Sequence, residues 1–199
     1  MADNVAITAG VGTAIAADDV SSVFFQKIKL DVGGDGATVP VIGGASASGL
    51  LPVGGKAVRI AQTPTVGGAA YVAKDAVGAL LTFANAARVS GGSITVDSVT
   101  VIDKSASMLS LDLYLSAATF TAPTDSSAFD PTDAELLDCI GVIPITTWAD
   151  FNDNSIATRT NIGLTAVLTG TSLFGALVAR SGGSLTDGDV TVTVTVTQN

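Results

Sequence analysis

Strict alternation of valine and threonine runs through Val190-Thr-Val-Thr-Val-Thr-Val196-Thr197. Successive side chains of a β-strand point to opposite faces, so this stretch places its valines on one face and its threonines on the other. The preceding Asp187-Gly188-Asp189 is a turn signal. The stretch therefore predicts a strand with one apolar face, entered through a tight turn.

Similar patterns recur along the chain. Residues 93–102 are rich in β-branched side chains, and alternate leucines follow at 109, 111, 113 and 115. The intervening Asp103-Lys104-Ser105 is predicted to be a hairpin connection between these two strands. Further strands are predicted at residues 23–30, 57–62, 163–168 and 173–180, and residues 76–88 favour a strand over a helix because Gly78 lies within them.

This spacing of strands and turns predicts an all-β fold, an antiparallel, jelly-roll-like β-sandwich. One short helix is predicted near residues 131–138. Asp130 is a candidate N-cap, Pro131 suits the first turn, and Thr132 and Glu135 have the spacing of a capping box. Gly141 is expected to end this helix.

Residues 1–55 differ from the rest because glycines interrupt their short apolar runs. Such a segment can hardly bury a core of its own. It is predicted to be an N-terminal arm whose strands attach to a partner, preceding a sandwich domain at residues 56–199. An ordinary loop within one fold, or strands added to the main sheet, are the alternatives.

The side-chain inventory argues against an enzyme. The chain has no histidine, and Glu135 is its only glutamate. Those two residue types supply most general acids, general bases and transition-metal ligands, so histidine-dependent triads, dyads and zinc sites are excluded. No cofactor motif is found. Cys139 is alone and cannot form a disulfide within the chain.

The charge limits the partners. The chain has a net charge of −9 with 9 basic and 18 acidic residues, and its cations are scattered. Nucleic acid binding requires clustered cations, and an anionic membrane repels an acidic chain, so neither partner is expected. The mean hydropathy is +0.54, yet polar residues and glycines interrupt every apolar run before it reaches the length of a membrane span.

One loop resembles a calcium site in part. Asp150, Asn152 and Asn154 occupy alternate positions, as oxygen ligands do in calcium-binding loops. Ser155 and Asn161 then stand where that motif requires glycine and a bidentate glutamate, so a solvated turn is the preferred interpretation. Trp148, close to Asp150, is a weaker candidate for a sugar-binding surface, with core packing as the preferred role.

The chain resembles tailed-bacteriophage virion structural proteins. The likeness begins with the stretch Ile7-Thr-Ala-Gly-Val-Gly-Thr13 and continues through residues 16–20 and 25–30. Those proteins often have Gly-Gly and Tyr-Gln where this chain has Ser21-Ser22 and Phe25-Gln26. Similar stretches lie at residues 81–88, 91–93, 101–105, 154–158, 161–164 and 173–180.

This resemblance implies a structural component of a virion, made in the host cytoplasm. The size, the β-rich pattern and the lack of catalytic residues then favour a capsid decoration, or cement, protein. The expected partner is the major capsid protein, contacted from the capsid exterior by a homotrimer whose N-terminal arms, residues 1–55, supply the capsid-anchoring strands. A receptor-binding or fibre module and a tail-tube or other tail protein are the alternatives.

Overall fold

The computed structural model describes residues 17–20, 23–26, 55–68 and 70–199. The chain divides between Val53 and Gly54 into two units. In the first unit, β1 (Ala17–Val20) and β2 (Val23–Gln26) form an antiparallel two-stranded sheet. Strand β2 confirms the beginning of the strand predicted at residues 23–30. The remainder of that strand, and the rest of the predicted arm, lie outside the described residues.

The second unit is an antiparallel β-sandwich. Its first sheet has the order β3-β14-β6-β10-β9, and β11 also pairs with β6. The bounds of these strands are Lys56–Gln62 (β3), Ser93–Asp103 (β6), Ala149–Asp150 (β9), Ser155–Arg159 (β10), Leu164–Val167 (β11) and Val190–Gln198 (β14).

The second sheet of the sandwich has the order β5-β12-β7-β8. These strands are Ala76–Phe83 (β5), Leu111–Ser116 (β7), Cys139–Ile145 (β8) and Leu173–Ala179 (β12). A small sheet pairs β4 (Ala70–Tyr71) with β13 (Gly183–Ser184). The all-β antiparallel sandwich predicted from the alternating stretches is confirmed.

The strand order is that of a jelly roll. Of the eight principal strands β3, β5, β6, β7, β8, β10, β12 and β14, the first pairs with the last, β3 with β14. Moving inward along the chain, β5 pairs with β12, β6 with β10, and β7 with β8. A long antiparallel ribbon of four such pairs is thus wrapped into two facing sheets.

The two sheets enclose one main apolar core. The four valines of β14 are each at most 1% exposed, as the alternation predicts. They share this core with the leucines of β7 at 111, 113 and 115 and with Phe83 and Leu177. Burial of this apolar surface is the main driving force for folding.

Strand β5 contains a bulge at Gly78. Its pairing register with β12 shifts between Gly175 and Leu177, and Gly78 has a φ of +74°. A Cβ atom at Gly78 would lie 2.6 Å from the Cβ of Pro64. The strand preferred over a helix at residues 76–88 is therefore confirmed, and the glycine that weakened the helix forms its bulge.

A second, smaller apolar cluster lies on the outer face of the β5-β12-β7-β8 sheet. The connection between β7 and β8, residues 117–138, covers this face. Tyr114, Phe120 and Ala176 are buried there, and Phe129 packs against them. The rings of Tyr114 and Phe120 meet edge to face, with centroids 5.3 Å apart. Both faces of this sheet are consequently covered.

The predicted capping box is present at the short helix α1 (Asp133–Leu136). Thr132, and not Asp130, is the N-cap: its hydroxyl accepts from the Glu135 amide at 3.3 Å, and the Glu135 carboxylate accepts from the Thr132 amide at 2.8 Å. The helix also ends earlier than expected, because Gly141 lies in strand β8. The amide and hydroxyl of Thr121, with those of Thr132, lower the pKa of Glu135 to about 2.

The predicted hairpin at Asp103-Lys104-Ser105 is wrong. β6 and β7 belong to different sheets, so the connection is an arch across the end of the sandwich. Ala106 and Met108 both have a φ of +50°, and this left-handed backbone carries the chain from one sheet to the other. Leu109, predicted within the strand, precedes β7 and is still buried.

Candidate interaction surfaces

The sandwich has two ends of different composition. One, the acidic end, is formed by residues 63–75, 104–110, 151–154 and 185–189. These loops touch one another: the Lys104 amide donates to the Asp189 carbonyl at 2.9 Å, and the Val66 amide donates to the Asp187 carboxylate at 3.1 Å. Within the described part of the chain, these loops and the residues that flank or contact them gather many acidic side chains: Asp75, Asp103, Asp125, Asp150, Asp153, Asp187 and Asp189.

The other, the terminal end, is formed by residues 84–92, 169–172 and 198–199. The chain enters the sandwich here, because Gly55 lies beside Thr197 and Lys56 pairs with Gln198. The side-chain amide of Gln198 donates to the Asn85 carbonyl at 2.8 Å, which ties the end of β14 to the 84–92 loop. These three loops contain no acidic residue and include Arg88. Asp138, in the connection between β7 and β8, lies beside them: its carbonyl accepts from the Ala117 amide at 2.9 Å, and the Ala117 carbonyl accepts from the Thr169 amide at 3.1 Å. The terminal end is therefore less acidic than the opposite end, but not free of acidic residues.

Asp125 ties three segments together at the acidic end. Its carboxylate accepts from the Gly67 amide at 2.6 Å, the Gly78 amide at 2.7 Å and the Tyr71 hydroxyl at 2.8 Å. Burial alone would raise the pKa of Asp125, but these donors outweigh it and hold the pKa below its usual range. Burial, together with the bond to Asp125, raises the pKa of Tyr71. The carboxylate thus fixes loop geometry.

Asp103 performs the same task for the arch after β6. Its side chain is buried and accepts from both the amide and the hydroxyl of Ser105, from the Ser107 hydroxyl and from the Met108 amide, at 2.7–3.0 Å. Burial opposes the charged form, yet these donors lower the pKa of Asp103. Because its acceptor positions are directed to the loop, Asp103 is a structural acid.

Asp125→Asn is expected to lower the free energy of unfolding by about 1–2 kcal/mol, because one oxygen that accepts from main-chain amides becomes a donor. The measurement is urea unfolding followed by the fluorescence of Trp148, the only tryptophan of the chain. Asp153→Asn is the matched control, since Asp153 is exposed and accepts from the neighbouring Asn152. Equal midpoints for the two variants would contradict the role assigned to Asp125.

The candidate calcium residues lie at the hairpin between β9 and β10. Asp150 ends β9, Asn152 has a φ of +68° at the tip, and the Asn154 carbonyl accepts from the Phe151 amide at 2.8 Å. The Asn152 side chain donates to Asp153 at 2.8 Å. In the described ranges, no three His, Cys, Asp or Glu side chains are grouped so as to hold a metal. The side chains of Asp150, Asn152 and Asn154 are all exposed.

Trp148 lies just before this hairpin and packs against the main core. Its indole nitrogen and the hydroxyl of Ser155 are both buried and lack a hydrogen-bond partner. The aromatic side chain that reaches solvent nearby is Phe151, which is 61% exposed. The ring proposed for sugar binding is thus engaged in the core, as the preferred interpretation of Trp148 has it.

Cys139 is half-buried in the outer cluster beside Tyr114. Burial first, and the neighbouring Cys139 second, raise the pKa of Tyr114 to about 12. The Tyr114 hydroxyl donates to the Glu135 carbonyl at 3.3 Å, which holds helix α1 over this cluster. The thiol therefore lies partly buried against the outer cluster.

No family model matches the chain, and no curated protein matches it. In the part of the chain that the structure describes, no helix has the length and apolar character needed to cross a membrane.

Proposed function

We propose that this protein is a structural component of a bacteriophage virion, a decoration protein that binds the outside of the capsid as a homotrimer. Its partner is the major capsid protein. In this role the protein bridges neighbouring capsomers and resists the outward pressure of the packaged genome. The resemblance to virion structural proteins motivates the proposal, and two features of the sandwich support it.

The first supporting feature is the jelly-roll strand order, which recurs in viral capsid proteins as well as in lectins and cupins. A fold shared by such different proteins does not fix the function. The catalytic chemistry of a cupin or another enzyme needs polar groups left free to react. Here the carboxylates of the buried Asp103 and the half-buried Asp125, both at the acidic end, are occupied by loop donors.

The charge polarity of the sandwich is the observation that carries the proposal. The chain enters at the terminal end, where the loops at residues 84–92, 169–172 and 198–199 lack acidic residues and Asp138 lies beside them, whereas the opposite end is rich in aspartate. A decoration protein attached through its terminal end would direct the acidic end outward. Acidic outer surfaces repel one another and keep particles apart in solution.

The copy number in purified phage particles tests this function. Quantitative mass spectrometry of purified particles of the phage that encodes the chain is expected to give a copy number comparable to that of the major capsid protein. A few copies per particle would instead indicate a fibre, and absence from the particle would overturn the proposal. Cryo-electron microscopy of particles carrying a chain without residues 1–55 tests whether this arm attaches the protein to the capsid. If the shortened chain occupies the capsid surface as fully as the wild type, the arm is not the attachment segment.

A receptor-binding or fibre module is the second candidate. The exposed Phe151 at the β9–β10 hairpin, between Asp150 and Asn152, favours it because such a tip can reach a host glycan. That role calls for several exposed aromatic rings on one rim. Tyr71, Phe83 and Phe120 are buried instead, which favours the decoration protein. A tail-tube protein, the third alternative, predicts assembly into stacked rings.

A further inference from the structure

Strand β3 presents an open edge. It lies at one border of its sheet, paired with β14 on one side. Within residues 55–68 and 70–199, no main-chain hydrogen bond reaches its other side, which is called the β3 edge below. With seven residues, β3 is as long as many paired strands. Unpaired amides and carbonyls along such an edge can bind an additional strand.

The other borders of the sandwich are protected. Along β5, the Ala76 amide donates to the Ser127 carbonyl at 2.8 Å, and Asp125 occupies the Gly78 amide. Strand β8 contains Pro144, whose carbonyl accepts from the Arg159 side chain at 2.7 Å. Strands β9 and β11 are short, with two and four residues. Among the described strands of the sandwich, the β3 edge is thus the long border left open.

The β3 edge is basic in an acidic protein. Lys56 and Arg59 are both exposed, while β3 and the adjacent β14 contain no acidic residue. Since they are three residues apart in a strand, one cation lies on each face of the sheet. Pairing of two β3 edges about a two-fold axis would bring like charges together, which is destabilising. The edge therefore selects an acidic strand.

The chain supplies such a strand in its first unit. Strand β1 contains the adjacent acids Asp18 and Asp19 and no basic residue. Its sequence is thus opposite in charge to that of the β3 edge. Opposite charges on neighbouring strands stabilise their pairing.

We propose that the β3 edge binds strand β1 of a second copy of this chain, by strand addition. The inference rests on the homotrimer in the proposed function and specifies the contact that holds it together. Each copy gives one strand and receives one, so the contact is head-to-tail, and a ring of copies closes when the rotation between them permits. Main-chain hydrogen bonds supply affinity, and the charge pairs supply register and selectivity.

Charge reversal in the full-length chain tests this contact. The edge variant carries Lys56→Glu and Arg59→Glu, and the donor variant carries Asp18→Lys and Asp19→Lys. Each is expected to weaken self-association about a hundredfold or more, because like charges then face each other. Sedimentation velocity measures the mass. The matched control carries Lys74→Glu and Lys104→Glu. It lowers the net charge by the same amount as the edge variant, but at the acidic end, and is expected to assemble like the wild type.

Mixing the two variants identifies the partner. The reversed surfaces of the two variants are complementary to each other, and so are their wild-type surfaces. A one-to-one mixture is therefore expected to associate in alternation, without closing a ring of three, and the chain carrying all four substitutions is expected to assemble like the wild type. Reversed variants that keep the wild-type mass, a monomeric wild type, or a mixture that stays monomeric would overturn the proposal. The last result would indicate pairing within one chain. Copy number in the particle is measured separately, so failure here leaves the capsid proposal open to its own test.

Discussion

Replacing Asp103 with alanine is expected to lower the free energy of unfolding of the sandwich by about 2–4 kcal/mol. The carboxylate holds the arch between β6 and β7 through two amides and two hydroxyls, and it is 1% exposed. Hydrogen bonds to a buried charge are among the stronger ones. The loss stays within this range because Ser105 and Ser107 lie on the surface and regain water.

Acid should remove the same stabilisation from the wild type. The pKa of Asp103 is lower in the folded chain than in the unfolded chain. Its contribution is therefore complete above the unfolded value of about 3.9 and disappears as the pH falls through the lower folded value. Asp103→Asn cannot bind this proton, so its unfolding free energy is expected to fall less steeply below about pH 4 than that of the wild type.

Urea unfolding at neutral and acidic pH, followed by Trp148 fluorescence, measures both effects. Asp153→Ala is the control because it removes an exposed carboxylate at the β9–β10 hairpin. A midpoint for Asp103→Ala equal to that of this control would refute the structural role. Asp103→Asn, which keeps one acceptor oxygen, provides the comparison if the alanine variant does not fold.

The largest loss of stability is expected from Phe83→Ala, at about 3–5 kcal/mol. Phe83 is fully buried in the main core, on β5 opposite Leu173 of β12. Truncation to alanine removes apolar contacts and leaves a cavity between the two sheets. Strand pairing holds each sheet in place, so the sheets cannot move together to fill it. A domain has a total stability of about 5–15 kcal/mol, so the substitution removes a large part of it.

Differential scanning calorimetry is the measurement for Phe83. A decrease in Tm of roughly 10 °C or more is expected for a domain of this size. Val89→Ala, at a position 63% exposed, is the control and should change the stability by less than about 0.5 kcal/mol. If Phe83→Ala has the same Tm as Val89→Ala, Phe83 does not lie in an enclosed core. The Tm of Phe83→Leu is expected to lie between those of the two alanine variants.

Alternation in the sequence predicts faces but not partners. For β14 it correctly assigns the valines to the core, and the strands around residues 93–102 and 173–180 are found where predicted. The same pattern led to the wrong prediction of a hairpin at Asp103. Two consecutive strands show the same alternation whether they pair in one sheet or lie in two facing sheets. Strand β8 was not predicted, since Gly141 and Pro144 interrupt its apolar run.

The structural acids differ in how visible they are in the sequence. Asp103 precedes Ser105 and Ser107 by two and four residues. This spacing is typical of local side-chain capping and can be recognised in the sequence. Asp125 has no such signal, because Gly67 and Gly78 lie 58 and 47 residues away along the chain. Only the fold brings them together. The open β3 edge likewise depends on strand order, which composition does not reveal.

The position of β14 also governs when the sandwich can form during protein synthesis. Its partners β3 and β6 both precede it in the chain, and Val192 lies between them, opposite Gln62 and Val101. Until the ribosome has released β14, strands β3 and β6 each lack the neighbour that lies between them in the finished sheet. The valines that β14 contributes to the core are missing as well. Pairing over such a long separation is slow, and unpaired strands aggregate. A nascent chain halted before Val190 should therefore require a chaperone.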